Sequence, residues 1–192
     1  MLLGDYSDKK IASDPAHFID LFIDSTMIKN IGGIDCIGRN HYDRGRYGSK
    51  ISVIIDREGT PISAPVVDPS NRNDILALIP TVMPIKCPIK NDNRMVNRLA
   101  GDLAYISQEK SDQLYSELKI RVVVDQRKNA VESKPMRKKD IAMFKKRVNI
   151  EHFFARLKQS KRIRQRAEQS MLAYQSMAYI AFSCIIFNKT PV

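Results

Sequence analysis

Short runs of apolar residues alternate along the chain with longer stretches in which the apolar positions recur at helical spacing. A short apolar or β-branched run bounded by turn-forming residues is typical of a buried strand. Such runs predict strands at Leu21–Thr26, on both sides of a turn at Asp56–Gly59, at Met95–Ala100 and at Ile120–Asp125. The glycine-rich and charged segment 33–49 is predicted to be a loop before the second strand.

Helices are predicted between and after these strands. The segment 73–80 is typical of a short helix that Pro80 ends. The segment 107–119 has an amphipathic pattern, with Ser107 as a candidate N-cap. A basic connector leads from the last strand into a helix over 144–158. The alternation of strands and helices predicts an α/β fold with a mixed sheet.

The composition favours a single domain with a concentrated positive charge. The 192 residues are 43% apolar, which is enough for one hydrophobic core. The formal net charge is +11, and the segment 120–166 alone holds sixteen Lys or Arg and four Asp or Glu, a net of +12. Such a segment favours a polyanionic partner, most often nucleic acid. The alternative, a solubilising surface, usually mixes both signs of charge.

The cysteine spacing indicates a reducing compartment, and the sequence shows neither a secretory signal nor a clear membrane span. Cys36, Cys87 and Cys184 are far apart, without the paired spacing of a zinc site or a disulfide framework. Residues 1–10 lack the basic start and apolar run of a secretory signal. Polar residues interrupt the apolar stretch Met171–Asn188, which barely reaches membrane-spanning length. We expect this stretch to be a buried C-terminal helix.

Three carboxylates need an explanation. Asp24 lies near the end of an apolar strand, Asp102 follows another strand, and Glu151 lies among the cations of the basic helix. A carboxylate at the end of an apolar strand is costly to bury unless it is paired or bound to a cation. Taken singly, each aspartate is equally well explained as a turn-forming residue, and Glu151 as part of a surface ion pair. Together the three suggest a site for Mg²⁺ or Mn²⁺, because oxygen ligands suit these ions.

Four residues of the basic helix keep the spacing of a known motif. Phe144, Arg147, Glu151 and Lys158 match the intervals of the Tyr-Arg-Glu-Lys motif of DDE transposases from bacterial insertion sequences, with Phe in place of Tyr. The segments IDSTMIK, GRYGSKISVIIDREGTPIS, PSNRNDILAL and GDLAY resemble other segments of that family and occur in the same order. The resemblance to the catalytic domain covers about 18–187. The ring of Phe144 lacks the motif's hydroxyl and is expected in the core.

The resemblance implies a ribonuclease-H-like α/β fold, in which Asp24, Asp102 and Glu151 bind two divalent ions, Mg²⁺ or Mn²⁺. Such a site cleaves a DNA strand by in-line attack of water, and transfers the freed 3′-hydroxyl into a target. The implied partner is double-stranded DNA, at the element ends and at the target, and acting on two ends implies a homodimer. The implied location is the bacterial cytoplasm, at the nucleoid.

The same helix supplies candidate DNA contacts. Arg147, Glu151 and Lys158 recur on one helical face, so that face presents a carboxylate between two cations. Arg147 and Lys158 are expected to contact backbone phosphates, since nothing in their spacing indicates base reading. Four further candidates, each with a structural or solvated role as its alternative, are Lys50, Arg162, Arg164 and Arg166.

One feature departs from the family. Transposases of this kind usually carry a DNA-recognition segment ahead of the catalytic core, and only about twenty residues precede Asp24. We therefore expect 1–192 to form a single catalytic domain without that segment, from a split frame, a decayed copy or a host-adopted remnant. Two other functions stay open: a DNA-binding descendant that no longer cuts, and a metal-dependent DNA nuclease without strand transfer.

Overall fold

The computed structural model describes residues 20–40, 44–85, 97–125 and 136–188. Within these residues, seven strands form one mixed sheet with helices packed on both faces. The strands are β1 (Asp20–Asn30), β2 (Gly38–Asn40), β3 (Arg46–Asp56), β4 (Val66–Pro69), β5 (Asn97–Gly101), β6 (Ile120–Val124) and β7 (Gln165–Arg166). The helices are α1 (Ile75–Val82), α2 (Gln108–Leu118), α3 (Lys138–Phe144), α4 (Val148–Leu157), α5 (Lys161–Arg164) and α6 (Met171–Phe187). Two 3₁₀ turns lie at Leu103–Tyr105 and Lys145–Arg147.

The central strand β1 determines the topology of the sheet. It is antiparallel to β3 on one side and parallel to β5 on the other, and β6 continues the parallel part beyond β5. The parallel pair β5 and β6 is joined by a crossover through α2, as parallel pairing requires. Strands β2 and β4 pair with the other edge of β3, and β7 pairs with the end of β1. The predicted α/β class, a mixed sheet flanked by helices, is confirmed.

The side chains of β1 alternate between the two faces of the sheet, as strand geometry requires. Phe22 and Ile28 pack in the core that includes α4 and α6. Leu21 and Ile23 pack in a second core that includes α1 and α2. Asp24 lies two residues after Phe22, so the same alternation directs its carboxylate toward the layer that contains α4.

The predicted strands are confirmed, with different bounds. The predicted loop 33–49 is a correction, because it contains β2 and the start of β3, which pair with each other. The turn at Asp56–Gly59 is confirmed, since the Asp56 carboxylate accepts the backbone N–H groups of Glu58 and Thr60, each at 2.9 Å. Gly59 has a φ of 76°, a conformation that glycine adopts without steric cost. Met95 and its neighbour Val96 lie outside the described residues.

The first two predicted helices are confirmed, with bounds shifted by one or two residues. Ser107 caps α2, because its hydroxyl oxygen accepts the backbone N–H of Lys110 at 3.3 Å. Pro80 does not end α1, which continues to Val82. Pro80 lies in the last turn, where only one hydrogen bond is lost. The helix closes beyond Pro80 with a bond from the Met83 N–H to the Ile79 carbonyl at 3.0 Å.

The last two predicted helices also need correction. The helix predicted over 144–158 is divided, since α3 ends at Phe144 and a 3₁₀ turn separates it from α4. The C-terminal helix α6 buries only one side: Tyr174 and Phe182 are buried, whereas Leu172 is 70% exposed. Its apolar residues lie all around the axis, and only one face packs against the sheet. Within the described residues, no helix is long and apolar enough to cross a membrane.

Candidate active site

Asp24 is a partly buried carboxylate in the middle of the central strand. The residues before it, Phe22 and Ile23, are fully buried, whereas 21% of the Asp24 side chain is exposed. Its Oδ1 accepts the backbone N–H of Ser25 at 2.8 Å, and its Oδ2 accepts a bond from Nη1 of Arg147 at 3.2 Å. These two donors offset part of the cost of placing a charge at the edge of the core.

Asp102 lies beside Asp24 because of the strand register. In the parallel pair of β1 and β5, Phe22 is opposite Ala100; Asp24 lies two residues farther along β1, and Asp102 follows directly after β5. Neighbouring strands are about 4.8 Å apart, and the two aspartates are close enough for the charge of Asp102 to raise the pKa of Asp24. The Oδ1 of Asp102 also accepts the backbone N–H of Ala104 at 2.9 Å, which caps the 3₁₀ turn after β5.

Glu151 approaches from the helix layer and is connected to Asp24 by Arg147. It lies in the first turn of α4, with 62% of its side chain exposed. Nη2 of Arg147 is 3.9 Å from Oε1 of Glu151, while Nη1 of the same guanidinium donates to Asp24. The structure therefore brings Asp24 and Asp102 together through the sheet, and Glu151 to them through an arginine.

Burial raises the pKa of Asp24 from 3.8 to about 6. The negative charges of Asp102 and Asp74 raise it further, while the Ser25 N–H and the Arg147 guanidinium lower it. A carboxylate with such a high pKa lies where negative charge is poorly compensated. The nearby cation, Arg147, is not enough to balance the acidic groups around Asp24.

Phe144 and Arg147 pack against each other at the entrance to α4. The guanidinium carbon of Arg147 lies 5.7 Å from the centre of the Phe144 ring, a cation–π distance. Phe144 is half-buried against the core, which partly confirms its expected position. The ring of Phe144 therefore packs against the same guanidinium that binds Asp24, and this contact does not need a tyrosine hydroxyl.

The α3 helix is attached to the sheet by a buried carboxylate, and α4 follows it after one 3₁₀ turn. Asp140 accepts bonds from Nη2 of Arg121 at 2.6 Å and from Nη1 of Arg98 at 3.2 Å. The bonds from Arg121, with a smaller contribution from Arg98, hold the pKa of Asp140 below its usual range. This attachment to β5 and β6 fixes the position from which α4 presents Glu151.

The sequence did not reveal a second charged pair beside Asp24. Oδ1 of Asp74, the residue before α1, accepts bonds from Oγ of Ser25 at 2.7 Å and from Nζ of Lys50 at 2.8 Å. Lys50 also donates to the carbonyl of Arg72 at 2.7 Å. A lysine within a strongly apolar strand was the available signal, because a buried lysine needs a partner. Nothing in the sequence identified Asp74 as that partner.

This pairing corrects the predicted DNA contact of Lys50. Only 5% of its side chain is exposed, and the Asp74 carboxylate and a backbone carbonyl bind its ammonium. The buried tyrosine Tyr105 lies in the same region. Burial raises the pKa of its phenol, and the charges of Asp74, Asp24 and Asp102 raise it further. Lys50 therefore compensates negative charge inside the protein.

The predicted basic stripe divides into different environments. Arg162 is exposed, with its Nη2 2.6 Å from Oε1 of Glu168. Lys158 is half-buried at the C-terminal end of α4, and burial lowers the pKa of its ammonium. Arg164 is exposed at the end of α5. Arg147 faces the carboxylates, as described above, so the stripe is not one continuous surface.

Arg166 is a correction to that stripe, because it is completely buried. Its guanidinium donates to Oγ of Ser49 at 2.8 Å and to Oδ1 of Asp35 at 2.5 Å. It also donates to backbone carbonyls and lies over the ring of Tyr174. Arg166 therefore anchors the segment between α5 and α6 to the sheet and is not available to DNA.

The carboxylates do not converge as tightly as a filled metal site would require. Within the part of the chain that the structure describes, no group of three or more His, Cys, Asp or Glu side chains is arranged to hold a metal ion. Arg147 lies between Asp24 and Glu151. The donor atoms are nevertheless all carboxylate oxygens, the ligand type that hard divalent cations prefer.

Comparison with known proteins identifies the family and the fold of the chain. A family model described as a transposase DDE domain matches residues 21–171. No curated protein matches the sequence. Among solved structures, the chain is similar to a piggyBac transposase in a synaptic complex with hairpin DNA, with a TM-score of 0.56 and 11% identity. That match covers 87% of this chain but 45% of the transposase, so it shows a shared fold over less than half of the larger protein. Because the family match spans most of the sequence, the chain belongs to the transposase DDE domain family.

Proposed function

We propose that this chain is the catalytic domain of an insertion-sequence transposase, which cleaves DNA strands and transfers the new 3′-hydroxyl into a target. The observation that carries this proposal is the placement of Asp24 in β1 and of Asp102 just after the neighbouring parallel strand β5, with Arg147 just before α4 and Glu151 in its first turn on the side of Asp24. Family membership supports a transposase-type activity. The similar transposase structure contains DNA, which supports DNA as the partner.

We assign Asp24, Asp102 and Glu151 as the residues that would hold two Mg²⁺ or Mn²⁺ ions. The fit is one of chemistry: three carboxylates, a raised pKa at Asp24, and an exposed Glu151 side chain that is free to turn. Divalent ions bound there would activate the attacking oxygen and compensate the charge of the leaving oxygen. The chain itself holds Asp24 in β1 and Asp102 just after β5, and Arg147 would hold a phosphate oxygen as well as a carboxylate.

The DNA backbone would approach from the side of α4. Arg147, Lys158 and Arg162 lie on or next to this helix, and the segment 120–166 carries most of the net charge. Such a surface attracts DNA through its phosphates, with an affinity that falls steeply as salt rises. We further propose a homodimer on DNA, because cleavage at two element ends requires two sites.

The decisive experiment is a plasmid-nicking assay with Mg²⁺, Mn²⁺ or EDTA. We expect nicking by the wild type only when a divalent ion is present. Glu151→Gln should abolish nicking and leave DNA binding within about twofold, because an amide keeps the shape but not the charge. The matched control is Glu109→Gln, an exposed glutamate in the first turn of α2, which should nick like the wild type.

The outcomes separate the proposed function from its alternatives. Unchanged nicking by Glu151→Gln would refute the catalytic assignment. Tight DNA binding by a wild type that never nicks would indicate the DNA-binding descendant, an alternative that the Arg147 bridge between Asp24 and Glu151 favours. Nicking without any joining of a pre-cut 3′-hydroxyl end to target DNA would indicate a nuclease without strand transfer.

A further inference from the structure

A basic cavity lies near the end of β1, away from the carboxylates. Its volume is about 190 Å³. Four cations from separate elements line it, and none of its lining residues is acidic. The four are Lys29 on β1, Arg46 on β3, Lys158 at the end of α4 and Arg164 on α5. The ring of Tyr47, which is 58% exposed, forms part of the wall.

Within the part of the chain that the structure describes, the four cations have no acidic partner. Among the described residues, none of the four forms an ion pair, whereas many arginines elsewhere do. The paired arginines are Arg72, Arg98, Arg121, Arg147, Arg162 and Arg166. Like charges around one cavity repel each other, and an anion between them relieves that repulsion. Partial burial also lowers the pKa of Lys158, a penalty that a bound anion would remove.

The backbone keeps this cavity open. In the pairing of β1 with β3, Lys29 lies opposite Gly48, which also lines the cavity. A Cβ atom at Gly48 would lie 2.6 Å from the carbonyl oxygen of Ile28, so the two strands fit together only with glycine there. The space opposite Lys29 therefore contains no side chain from β3.

The distance between the cavity and the carboxylates corresponds to a few nucleotides of a DNA strand. Lys158 follows Glu151 by seven residues, or about 10 Å along a helix. Lys29 follows Asp24 by five residues, or about 16 Å along a strand. One DNA strand advances roughly 3.4 Å per nucleotide, so this separation corresponds to roughly three to five nucleotides.

We propose that this cavity is a phosphate subsite, which binds a backbone phosphate of DNA about three to five nucleotides from the phosphate at the carboxylates. The inference rests on the proposed function for the identity of the DNA ligand. The phosphate chemistry itself rests only on the four unpaired cations. It adds Lys29 and Arg46 to the candidate DNA contacts and gives Lys158 and Arg164 a specific role as part of a pocket.

The test uses the full chain and two matched double variants. Lys29→Gln with Arg46→Gln removes two cavity charges, both on exposed side chains. Lys110→Gln with Lys119→Gln removes two charges at α2, on the opposite side of the sheet. A third variant, Lys29→Arg with Arg46→Lys, keeps the cavity charge. Thermal melting followed by circular dichroism checks that each variant folds.

The first measurement titrates inorganic phosphate into ¹⁵N-labelled protein. We expect the amide signals of Lys29, Tyr47 and Gly48 to shift in the wild type and in the α2 control. Most of that shift should disappear in the Gln cavity variant and return in the charge-keeping variant. Equal shifts at every basic surface, or an unchanged response of the cavity variant, would show that no phosphate subsite exists here.

The second measurement follows binding of a short fluorescent DNA duplex as KCl rises. One phosphate contact contributes about 0.9 to the slope of log K against log salt. The cavity variant should lose about that much slope, and the α2 control less than half of it. Equal losses would overturn the proposal. If the cavity binds inorganic phosphate but the cavity variant keeps the wild-type slope of log K against log salt for DNA, the cavity binds free phosphate. That result would overturn the proposal that it binds a DNA phosphate.

Neither measurement depends on cleavage. A wild type that never nicks DNA would refute the proposed function and leave both cavity results valid. A cavity variant that binds phosphate and DNA like the wild type would refute the subsite, whatever the nicking assay shows.

Discussion

Replacing Asp24 by asparagine is expected to stabilise the folded protein at neutral pH. The Asp24 carboxylate is mostly buried, beside two other acids, and its pKa is raised from 3.8 to about 6. An amide of the same shape keeps the hydrogen bond from the Ser25 N–H, because its oxygen is still an acceptor. It does not carry the charge that burial disfavours. Catalytic residues often reduce stability in this way.

The magnitude follows from the pKa. Each pKa unit corresponds to about 1.4 kcal/mol, so a rise from 3.8 to about 6 corresponds to about 3 kcal/mol. The attraction of Arg147 is already included in that pKa. We expect a gain of about 2 to 3 kcal/mol above pH 7, which raises the Tm of a chain of this size by roughly 4 to 12 °C.

The sign of the pH dependence is specific. Asp24 binds its proton more tightly in the folded state than in the unfolded state, so it does not reduce stability below pH 3.8. As pH rises through about 6, the wild type loses stability that Asp24→Asn keeps. The difference between the two proteins should therefore be near zero at acidic pH and reach its plateau above pH 7.

Urea unfolding of both proteins over this pH range measures the difference directly. Asp112→Asn, an exposed aspartate on α2, is the matched control and should follow the wild type at every pH. A less stable Asp24→Asn at neutral pH, or a difference that does not vary with pH, would refute the reasoning about burial. The nicking assay should meanwhile show no cleavage by Asp24→Asn.

Three further outcomes are expected. At a concentration ten times its Kd, Mg²⁺ should stabilise the wild type by about 1.4 kcal/mol in thermal melting and should not stabilise Asp24→Asn; equal stabilisation would exclude Asp24 as a ligand. Arg166→Gln should cost about 3 kcal/mol or more in urea unfolding, because it leaves Asp35, Ser49 and several carbonyls without their donor, and a neutral result would contradict its anchoring role. Ser107→Ala should cost about 1 kcal/mol, the usual value for a lost N-cap, and Ser107→Asp should restore stability.

The sheet and two of the site carboxylates were predictable from local sequence. The apolar runs 21–23 of β1 and 99–100 of β5 are fully buried, which is typical of strands covered on both faces, whereas β6 lies at the edge of the sheet and is only partly buried. Asp24 and Asp102 stood out because charges at such positions are costly. What the sequence lacked was the parallel pairing of β1 with β5, which brings Asp24 and Asp102 near each other.

Other features depended on contacts between distant segments. Arg166 follows several surface cations and has the same local pattern, yet it is buried because Ser49 and Asp35 come to it from other parts of the chain. Lys50 and Asp74 form a pair only when β3 lies beside the start of α1. The sequence also does not indicate the break in the basic helix before α4, because the residues of the 3₁₀ turn, Lys145–Arg147, are good helix formers.

Arg147 compensates part of the negative charge of the site carboxylates. Its guanidinium contacts Asp24, lies 3.9 Å from Glu151 and packs on Phe144, so a fixed cation lies between two of the three carboxylates. One arginine leaves the pKa of Asp24 raised, and the compensation is therefore incomplete. Under the proposed function, Asp24, Asp102 and Glu151 would hold divalent ions that supply the missing positive charge, and Arg147 would contact a DNA phosphate as well as Asp24 and Glu151. Under this reasoning, Arg147→Gln weakens DNA binding while it raises the pKa of Asp24 further, two effects that an arginine with a purely structural role would not combine.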